Sequence, residues 1–221
     1  GRAGRVLIQR DARRQALTSY VEREPTAGIA LELTIDQYLQ NIAERVLQDG
    51  VKEYGAAGGS IVIMDPASGE ILALANAPTF NPNAYARSSE GDRRNRGIQD
   101  LYEPGSTFKL VTAAGALEEG LISPDDQIDV SQGYVRIGSR QIDDVHRYGV
   151  LSVTDVIVKS SNVGAIKVGF KLGPERLGRY VSLFGFGQTL VPDFRGENPG
   201  IVWSPAKLDA GAVASVSMGY Q

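Results

Sequence analysis

The chain of 221 residues is 42% hydrophobic and 22% charged, which is the composition of an ordinary folded protein, and its formal net charge of −3 gives no general electrostatic footprint for nucleic acid. The absence of cysteine excludes disulfides, thiol catalysis and cysteine–zinc sites. The single histidine, His146, argues against a histidine metal cluster or a Ser-His-Asp triad, so we expect no metal and no cofactor.

The first 29 residues differ from the rest of the chain. Six arginines make this stretch basic, and Val6-Leu7-Ile8 is compatible with a short strand. We interpret residues 1–29 as a solvated, partly extended connector, with a nucleic-acid or membrane patch as the alternative. No apolar run reaches the roughly 18 residues that span a bilayer, and no signal peptide opens the chain. Gly1-Arg2-Ala3-Gly4 is an unlikely native start, so we expect a segment cut from a longer protein.

The next segment predicts a helix followed by a β-hairpin. Thr34 to Gln37 fits a capping box, in which the threonine hydroxyl and the glutamine amide satisfy groups at the helix start. Apolar residues then recur near the helical period, so we predict an amphipathic helix of about 20 residues that ends near Gly55. Residues 60–64 and 71–75 are β-rich and separated by turn-forming residues, which predicts an antiparallel hairpin.

A central helix is predicted after the break at Pro104-Gly105. Residues 106–119 are apolar around most of the helix circumference, which indicates a helix buried in the middle of the fold. Loops with short strands are predicted for residues 121–150. A capping-box-like start at Ser152 predicts a short helix, and residues 163–172 predict the helix after it.

The first motif with candidate chemistry is Ser106-Thr107-Phe108-Lys109. Its serine and lysine are three residues apart, so a helix places them on one face with Cβ atoms about 5–6 Å apart. A serine hydroxyl needs a base to become a nucleophile, and a lysine can be that base when burial and nearby positive charge depress its pKa. The helix start also favours developing negative charge.

The second motif is Ser160-Ser161-Asn162, at a predicted break between two helices. It can put a hydroxyl near Ser106 and Lys109, and an amide where it can hold a substrate peptide. The alternatives are structural. Ser106 would then be a simple N-cap and Lys109 a solvated surface lysine, while Ser160 and Asn162 would cap the helix that starts at Val163.

Several segments, in chain order, resemble the transpeptidase domains of class B penicillin-binding proteins of the division or sporulation type. The Ser-x-x-Lys and Ser-x-Asn motifs are two of the three signatures of the penicillin-interacting serine acyl-transferases. The third signature, Lys-[Thr/Ser]-Gly, is absent from the chain. The other matching segments cover the predicted first helix, the hairpin, the approach to the nucleophile and a small-residue stretch: 30–54, 63–73, 80–83, 94–96 and 215–221.

The resemblance implies a fold class and an extent. The fold would be the α/β (α+β) fold of β-lactamases and transpeptidases, an antiparallel sheet flanked by helices with a central buried helix that carries the nucleophile. Residues 30–221 would be the N-terminal two-thirds of the penicillin-binding domain, and residues 1–29 a linker or the tail of the non-catalytic pedestal. The C-terminal strands and the third motif would lie beyond Gln221, so we expect the 221-residue piece to be inactive alone.

The resemblance also implies roles for the site residues. Ser106 would attack the penultimate D-Ala carbonyl of a peptidoglycan stem peptide, with Lys109 as its base, and its amide would supply one oxyanion-hole donor. Ser160 would relay the proton to the leaving D-Ala. The acyl-enzyme would pass to an amine of a neighbouring stem and cross-link the wall, and β-lactams would acylate Ser106 and stay. The donor peptide would be held by Asn162, Ser161 and Thr107.

The implied partners are peptidoglycan stem peptides, β-lactams, a glycosyltransferase and other division or elongation proteins. The implied location is the extracytoplasmic face of the bacterial cytoplasmic membrane, with an N-terminal anchor outside this chain. Serine β-lactamases share the first two motifs, but no Glu-x-x-Leu-Asn pattern follows Asn162, which favours transfer over fast hydrolysis. A β-lactam sensor or an inactive divisome scaffold is the other alternative, which the absent third motif leaves open.

Overall fold

The computed structural model describes residues 1–190 and 196–220, and the chain divides into two compact units, residues 1–79 and 80–221. Within the described ranges, the helices are all too short or too polar to cross a membrane. The domain limit predicted between residues 29 and 30 stays a prediction.

The first unit begins with an antiparallel hairpin of exposed strands. β1 is Arg5–Arg10 and β2 is Ala16–Arg23. The strand predicted over Val6–Ile8 is present, but its partner β2 was not predicted. Asp11 closes the turn by accepting hydrogen bonds from two backbone amides, both at 2.8 Å. The stretch predicted to be a connector is therefore partly a paired hairpin.

A helix packs on a second hairpin in the same unit. α1 is Gln37–Glu53, β3 is Gly59–Met64 and β4 is Ile71–Ala77, and the two strands pair antiparallel, which confirms the predicted helix and hairpin. The buried centre of this unit is made of small side chains, Ala43, Ala73 and Ala75, and partly buried leucines and isoleucines surround them.

The start of α1 differs from the predicted capping box. Asp36 is the N-cap, and its carboxylate accepts from the amides of Tyr38 and Leu39 at 2.8 and 2.9 Å. The hydroxyl of Thr34 instead donates to the carbonyl of Ile71 at 2.6 Å, which ties the chain to β4. The box predicted at Thr34 is wrong because aspartate is a better N-cap than threonine and the threonine hydroxyl has a partner on the neighbouring strand.

The described residues of the second unit form helices and two antiparallel strand pairs, β5 with β8 and β6 with β7. The helices are α2 (Arg96–Gln99), α3 (Lys109–Glu118), α4 (Val153–Val158), α5 (Asn162–Leu172), α6 (Pro174–Leu183) and α7 (Ala210–Ser217). The strands are β5 (Gln127–Asp129), β6 (Tyr134–Ile137), β7 (Arg140–Asp143) and β8 (Val150–Ser152). The short strands predicted within residues 121–150, and the helices predicted around Ser152 and residues 163–172, are confirmed.

Helices α3 and α5 form the centre of this unit. α3 packs against α4, α5 and α6, and α7 packs against α5. Five residues of α3 that follow Lys109 in the chain are buried: Val111, Thr112, Ala113, Gly115 and Ala116. Leu110 and Leu117 are 59% and 39% exposed because the packed helices cover the other side of α3. The predicted burial of this helix therefore applies to one side of it.

Candidate active site

Ser106 lies on a 3₁₀ turn that leads directly into α3. The turn spans Gly105–Phe108. Gly105 has a φ of +58°, which favours glycine, and its amide donates to the carbonyl of Gly219 at 3.0 Å. A Cβ on Gly219 would lie 2.1 Å from the Gly105 carbonyl oxygen, so only glycine fits there. The small-residue stretch after α7 thus supports the turn that carries the serine.

The same turn exposes one motif side chain and buries the other. Ser106 is exposed, whereas Lys109 is only 2% exposed. The α-helix predicted to start at residue 106 begins at Lys109, because the preceding residues form the tighter 3₁₀ turn. Thr107 is exposed beside the serine, and its hydroxyl donates to the carbonyl of Pro104 at 2.7 Å.

The Lys109 ammonium donates three hydrogen bonds, which is its full capacity. The acceptors are the Ser160 carbonyl at 2.6 Å, the Ser160 hydroxyl at 3.1 Å and the Asn162 side-chain oxygen at 2.7 Å. Burial lowers the pKa of Lys109 below its ordinary value, and the negative charge of Asp144 partly opposes that shift. The predicted burial of the lysine is confirmed, but the neighbouring charge that affects its pKa is an anion rather than a cation.

Ser160 has a backbone conformation that usually belongs to glycine, with a φ of +53°. It follows the last turn of α4, where the amides of Ser160 and Ser161 donate to the carbonyls of Ile157 and Val156 at 3.0 and 2.9 Å. These two bonds define a Schellman helix end, in which glycine is the usual residue at this position. A left-handed non-glycine residue costs roughly 1–2 kcal/mol. In this conformation both the carbonyl and the hydroxyl of Ser160 contact Lys109.

Asn162 is the first residue of α5 and connects the lysine to strand β7. Its side-chain oxygen accepts from Lys109, and its side-chain nitrogen donates to the carbonyl of Asp143 at 3.0 Å. The amide that we predict to hold a substrate peptide is therefore itself oriented by the protein at both ends.

Ser161 is the N-cap of α5 and is 1% exposed. Its hydroxyl accepts from the Gly164 amide and donates to the Asp144 carboxylate, both at 2.8 Å. The alternative in which Ser160 and Asn162 cap this helix is wrong, because the residue between them is the cap. The Ser161 hydroxyl is therefore engaged inside the protein, and its predicted contact with substrate stays a prediction.

The sequence profile described as "Penicillin binding protein transpeptidase domain" matches residues 59–221. The chain is 40% identical over 200 residues, 90% of its length, to a probable peptidoglycan D,D-transpeptidase, PbpC, of Pseudomonas aeruginosa. It is 32% identical over 220 residues to the peptidoglycan D,D-transpeptidase FtsI of Escherichia coli. A solved structure of the TP domain of penicillin-binding protein 3 from Burkholderia pseudomallei matches 85% of this chain and 52% of its own, with a TM-score of 0.75 and 30% identity.

The chain belongs to the family of penicillin-binding protein transpeptidase domains. This confirms the predicted resemblance and the predicted fold class, since the solved relative shares the arrangement of helices and antiparallel strands. The chain spans 35% and 37% of the length of the two curated relatives.

The structure of this transpeptidase domain joins three of the predicted catalytic and binding residues in one hydrogen-bonded group. Ser160 and Asn162 both accept hydrogen bonds from Lys109, and Ser106 lies on the turn immediately before Lys109. Within the described residues, the hydrogen bonds of the Lys109 ammonium go to Ser160 and Asn162 and not to the Ser106 hydroxyl. The roles assigned to these residues stay predictions.

Asp144 is the residue of this site that the motifs do not reveal. Its carboxylate accepts from the Ser161 hydroxyl at 2.8 Å and from the Val163 amide at 3.0 Å. It lies 17 residues before Ser161, in a stretch rich in glycine and aspartate. No local pattern links it to the Ser-x-Asn motif, because the two come together only when β7 packs beside α5.

Proposed function

We propose that the protein carrying this chain is a serine-type peptidoglycan D,D-transpeptidase. The observation that carries the proposal is an exposed serine followed, one turn later, by a buried lysine whose ammonium is bound by the Ser-x-Asn turn. A nucleophile, a base with a depressed pKa and a hydroxyl in contact with that base are the groups that acyl transfer through a serine ester requires.

In the first step, the Ser106 hydroxyl oxygen attacks the carbonyl carbon of the penultimate D-Ala, and the neutral amine of Lys109 accepts the hydroxyl proton. Burial supports this role because it lowers the Lys109 pKa and so raises the fraction of neutral amine near neutral pH. The tetrahedral oxyanion would be stabilised by the Ser106 amide, which lies at the start of a helical segment where backbone amides favour negative charge.

Collapse of that intermediate breaks the bond between carbon and nitrogen and leaves an ester on Ser106. The departing D-Ala nitrogen takes the proton from Lys109 through the Ser160 hydroxyl, which lies 3.1 Å from the lysine nitrogen. The amine of a neighbouring stem peptide then attacks the ester carbon and forms the new amide bond as the bond to the Ser106 oxygen breaks. The proton that the amine loses returns to Ser106 through Lys109. Asn162 and Thr107 would bind the donor peptide beside these groups.

A β-lactam would acylate Ser106 by the same first step. Its strained ring amide takes the place of the bond between the two D-Ala residues, and the nitrogen that is released stays tethered to the acyl group. Because that nitrogen cannot diffuse away, an acceptor amine has no clear approach and the ester persists. A serine β-lactamase would instead hydrolyse this ester rapidly.

The substrates, partners and location belong to the same proposal. The substrates are peptidoglycan stem peptides, and the relatives named as peptidoglycan D,D-transpeptidases support that assignment. The protein would act on the extracytoplasmic face of the cytoplasmic membrane, held by an N-terminal anchor. It would work with a glycosyltransferase and other division or elongation proteins.

The test is covalent labelling of the full-length protein by a fluorescent penicillin, followed by peptide mapping. We expect an adduct on Ser106, its loss in Ser106→Ala, and normal labelling in Ser89→Ala, which removes another exposed hydroxyl. An adduct that maps to a different residue would contradict the proposal. An adduct that is released within seconds would point to a β-lactamase, whereas no adduct on a folded wild-type protein would point to a scaffold.

A further inference from the structure

The turn that binds Lys109 is itself held by one side chain from another element. The Asp144 carboxylate accepts from the Ser161 hydroxyl with one oxygen and from the Val163 amide with the other. Ser161 lies between Ser160 and Asn162, the two residues that contact the lysine. A displacement of the carboxylate would therefore move both of these contacts.

Asp144 is well placed to fix this turn because its own position is fixed. Its amide donates to the carbonyl of Gly133 at 2.9 Å, which continues the pairing of β6 and β7 beyond the end of β7. The hairpin packs on α5 through Ile142, which shares a buried cluster with Ile166 of α5. The preceding residue, Asp143, supplies the carbonyl that orients the Asn162 side-chain amide. The end of β7 therefore binds Ser161, Asn162 and Val163 together.

The carboxylate is also the anion that acts on Lys109. The groups that face the ammonium directly, Ser160 and Asn162, are uncharged. Other ionisable side chains on the surrounding elements have different partners. Among the acidic groups, Asp143 accepts from the side-chain amide of Gln141, Asp155 pairs with Ser152, and Glu119 pairs with Arg176 and Arg179. Among the basic groups, Arg140 donates to Ser215 and Lys167 donates to the Asp129 carbonyl. Lys159 lies over the Tyr148 ring.

We propose that Asp144 is a positioning residue for acyl transfer: its carboxylate holds the Ser160–Asn162 turn in contact with Lys109 through Ser161 and places a negative charge near the lysine. This inference rests on the proposed function, because it assigns a role in the reaction of Ser106. Asp144 itself touches neither the substrate nor the reacting atoms.

Two substitutions separate the geometric role from the electrostatic one. Asp144→Asn is nearly isosteric, keeps an acceptor for the Val163 amide and can donate to the Ser161 hydroxyl oxygen, so it removes the charge and retains the turn. Asp144→Ala removes both contacts. The matched control is Asp155→Asn, since Asp155 pairs with the N-cap Ser152 of α4 as Asp144 pairs with the N-cap Ser161 of α5.

The experiment measures the acylation rate of the full-length protein by a fluorescent penicillin across pH, together with the melting temperature. A base must be neutral to act, so the rate rises as pH passes through the Lys109 pKa. Loss of the anion lowers that pKa further, so we expect the acid limb of the profile to move to lower pH in Asp144→Asn. We expect Asp144→Ala to lose about 10²-fold in rate at the plateau, the typical cost of a misplaced catalytic group. Asp155→Asn should leave the profile unchanged.

The outcomes are distinguishable. The pH profile of Asp144→Asn decides the electrostatic role by itself, and a wild-type profile in that variant, or an equal shift in Asp155→Asn, would overturn it. A wild-type plateau rate in folded Asp144→Ala would overturn the geometric role. A wild-type protein that is not labelled at Ser106 would instead overturn the proposed function and this inference with it.

Discussion

Helices α4 and α5 begin with the same pair of groups, a capping serine and an aspartate, but the aspartates come from different places. At α4 the Ser152 hydroxyl accepts from the Asp155 amide at 3.0 Å and donates to the Asp155 carboxylate at 2.8 Å. At α5 the Ser161 hydroxyl accepts from the Gly164 amide and donates to Asp144. The first pair closes within one helical turn, whereas the second joins the helix to the end of β7.

The two caps show that stabilising a helix and fixing its position are separate effects. A cap within one turn satisfies the helix amides wherever the helix lies, while a cap from another element also fixes the position of the helix start. α5 starts at the Ser-x-Asn motif, so its position decides how Ser160 and Asn162 meet Lys109. Catalytic groups need support from rigid neighbours because small displacements cost large factors in rate. We therefore expect changes at the cap of α5 to alter the reaction and changes at the cap of α4 to alter only stability.

The largest effect on the acylation rate is expected at Lys109, which Ser160 and Asn162 contact at the start of α5. Lys109→Met should lower the rate of acylation by about 10²–10⁴-fold, because it removes the general base while retaining a long side chain in the buried site. The control is Lys167→Met on the exposed side of α5, which should acylate normally. Rates come from fluorescent penicillin labelling of the full-length protein. Acylation at the wild-type rate in Lys109→Met would show that the α5 turn does not serve a base.

The left-handed residue between the two helices gives the next test. Ser160→Gly and Ser160→Ala both remove the hydroxyl, and we expect both to lower the acylation rate by about 10²-fold because the proton relay is lost. The glycine variant should be more stable than the alanine variant by roughly 1 kcal/mol, since glycine adopts a φ of +53° without strain. Chemical denaturation gives the two free energies of unfolding. Equal stabilities would mean that the conformation of Ser160 carries no strain.

The two helix starts also show what the sequence can predict. The α4 cap is readable because Ser152 and Asp155 form a pattern within one turn. The α5 cap is not, because Asp144 reaches Ser161 only through the packing of a hairpin on a helix. The burial of Lys109 follows from its apolar neighbours along α3, but the anion beside it has no signal in the motif. The same limit applies at α1, where Thr34 and Asp36 are both cap-forming residues and the contact of Thr34 with β4 leaves Asp36 as the cap.

Local sequence patterns predict α3 and the β3–β4 hairpin. They fail for elements whose formation depends on a partner elsewhere in the chain. The β3–β4 hairpin is marked by its turn residues, and α3 is marked by its apolar composition. Strand β2 has no such signal, because its exposed residues follow no alternating pattern that would indicate a strand beside β1. The sequence predicts an α-helix from Ser106 because no local pattern distinguishes a 3₁₀ turn from the first turn of an α-helix. The geometry of the turn depends on the contact between Gly105 and Gly219.

The smallest effect, and the one that bears most directly on the two helices, comes from removing each capping hydroxyl. Ser152→Ala and Ser161→Ala should each lower the free energy of unfolding by about 1 kcal/mol, because each leaves one helix amide without its acceptor. Only Ser161→Ala should slow acylation. We expect about a tenfold loss, less than for a fully misplaced group, since the Val163 amide still binds Asp144. Rates should be compared at a temperature where both variants are fully folded. If both variants slowed acylation equally, the loss would come from stability alone. The cap of α5 would then have no larger effect on the position of the catalytic groups than the local cap of α4.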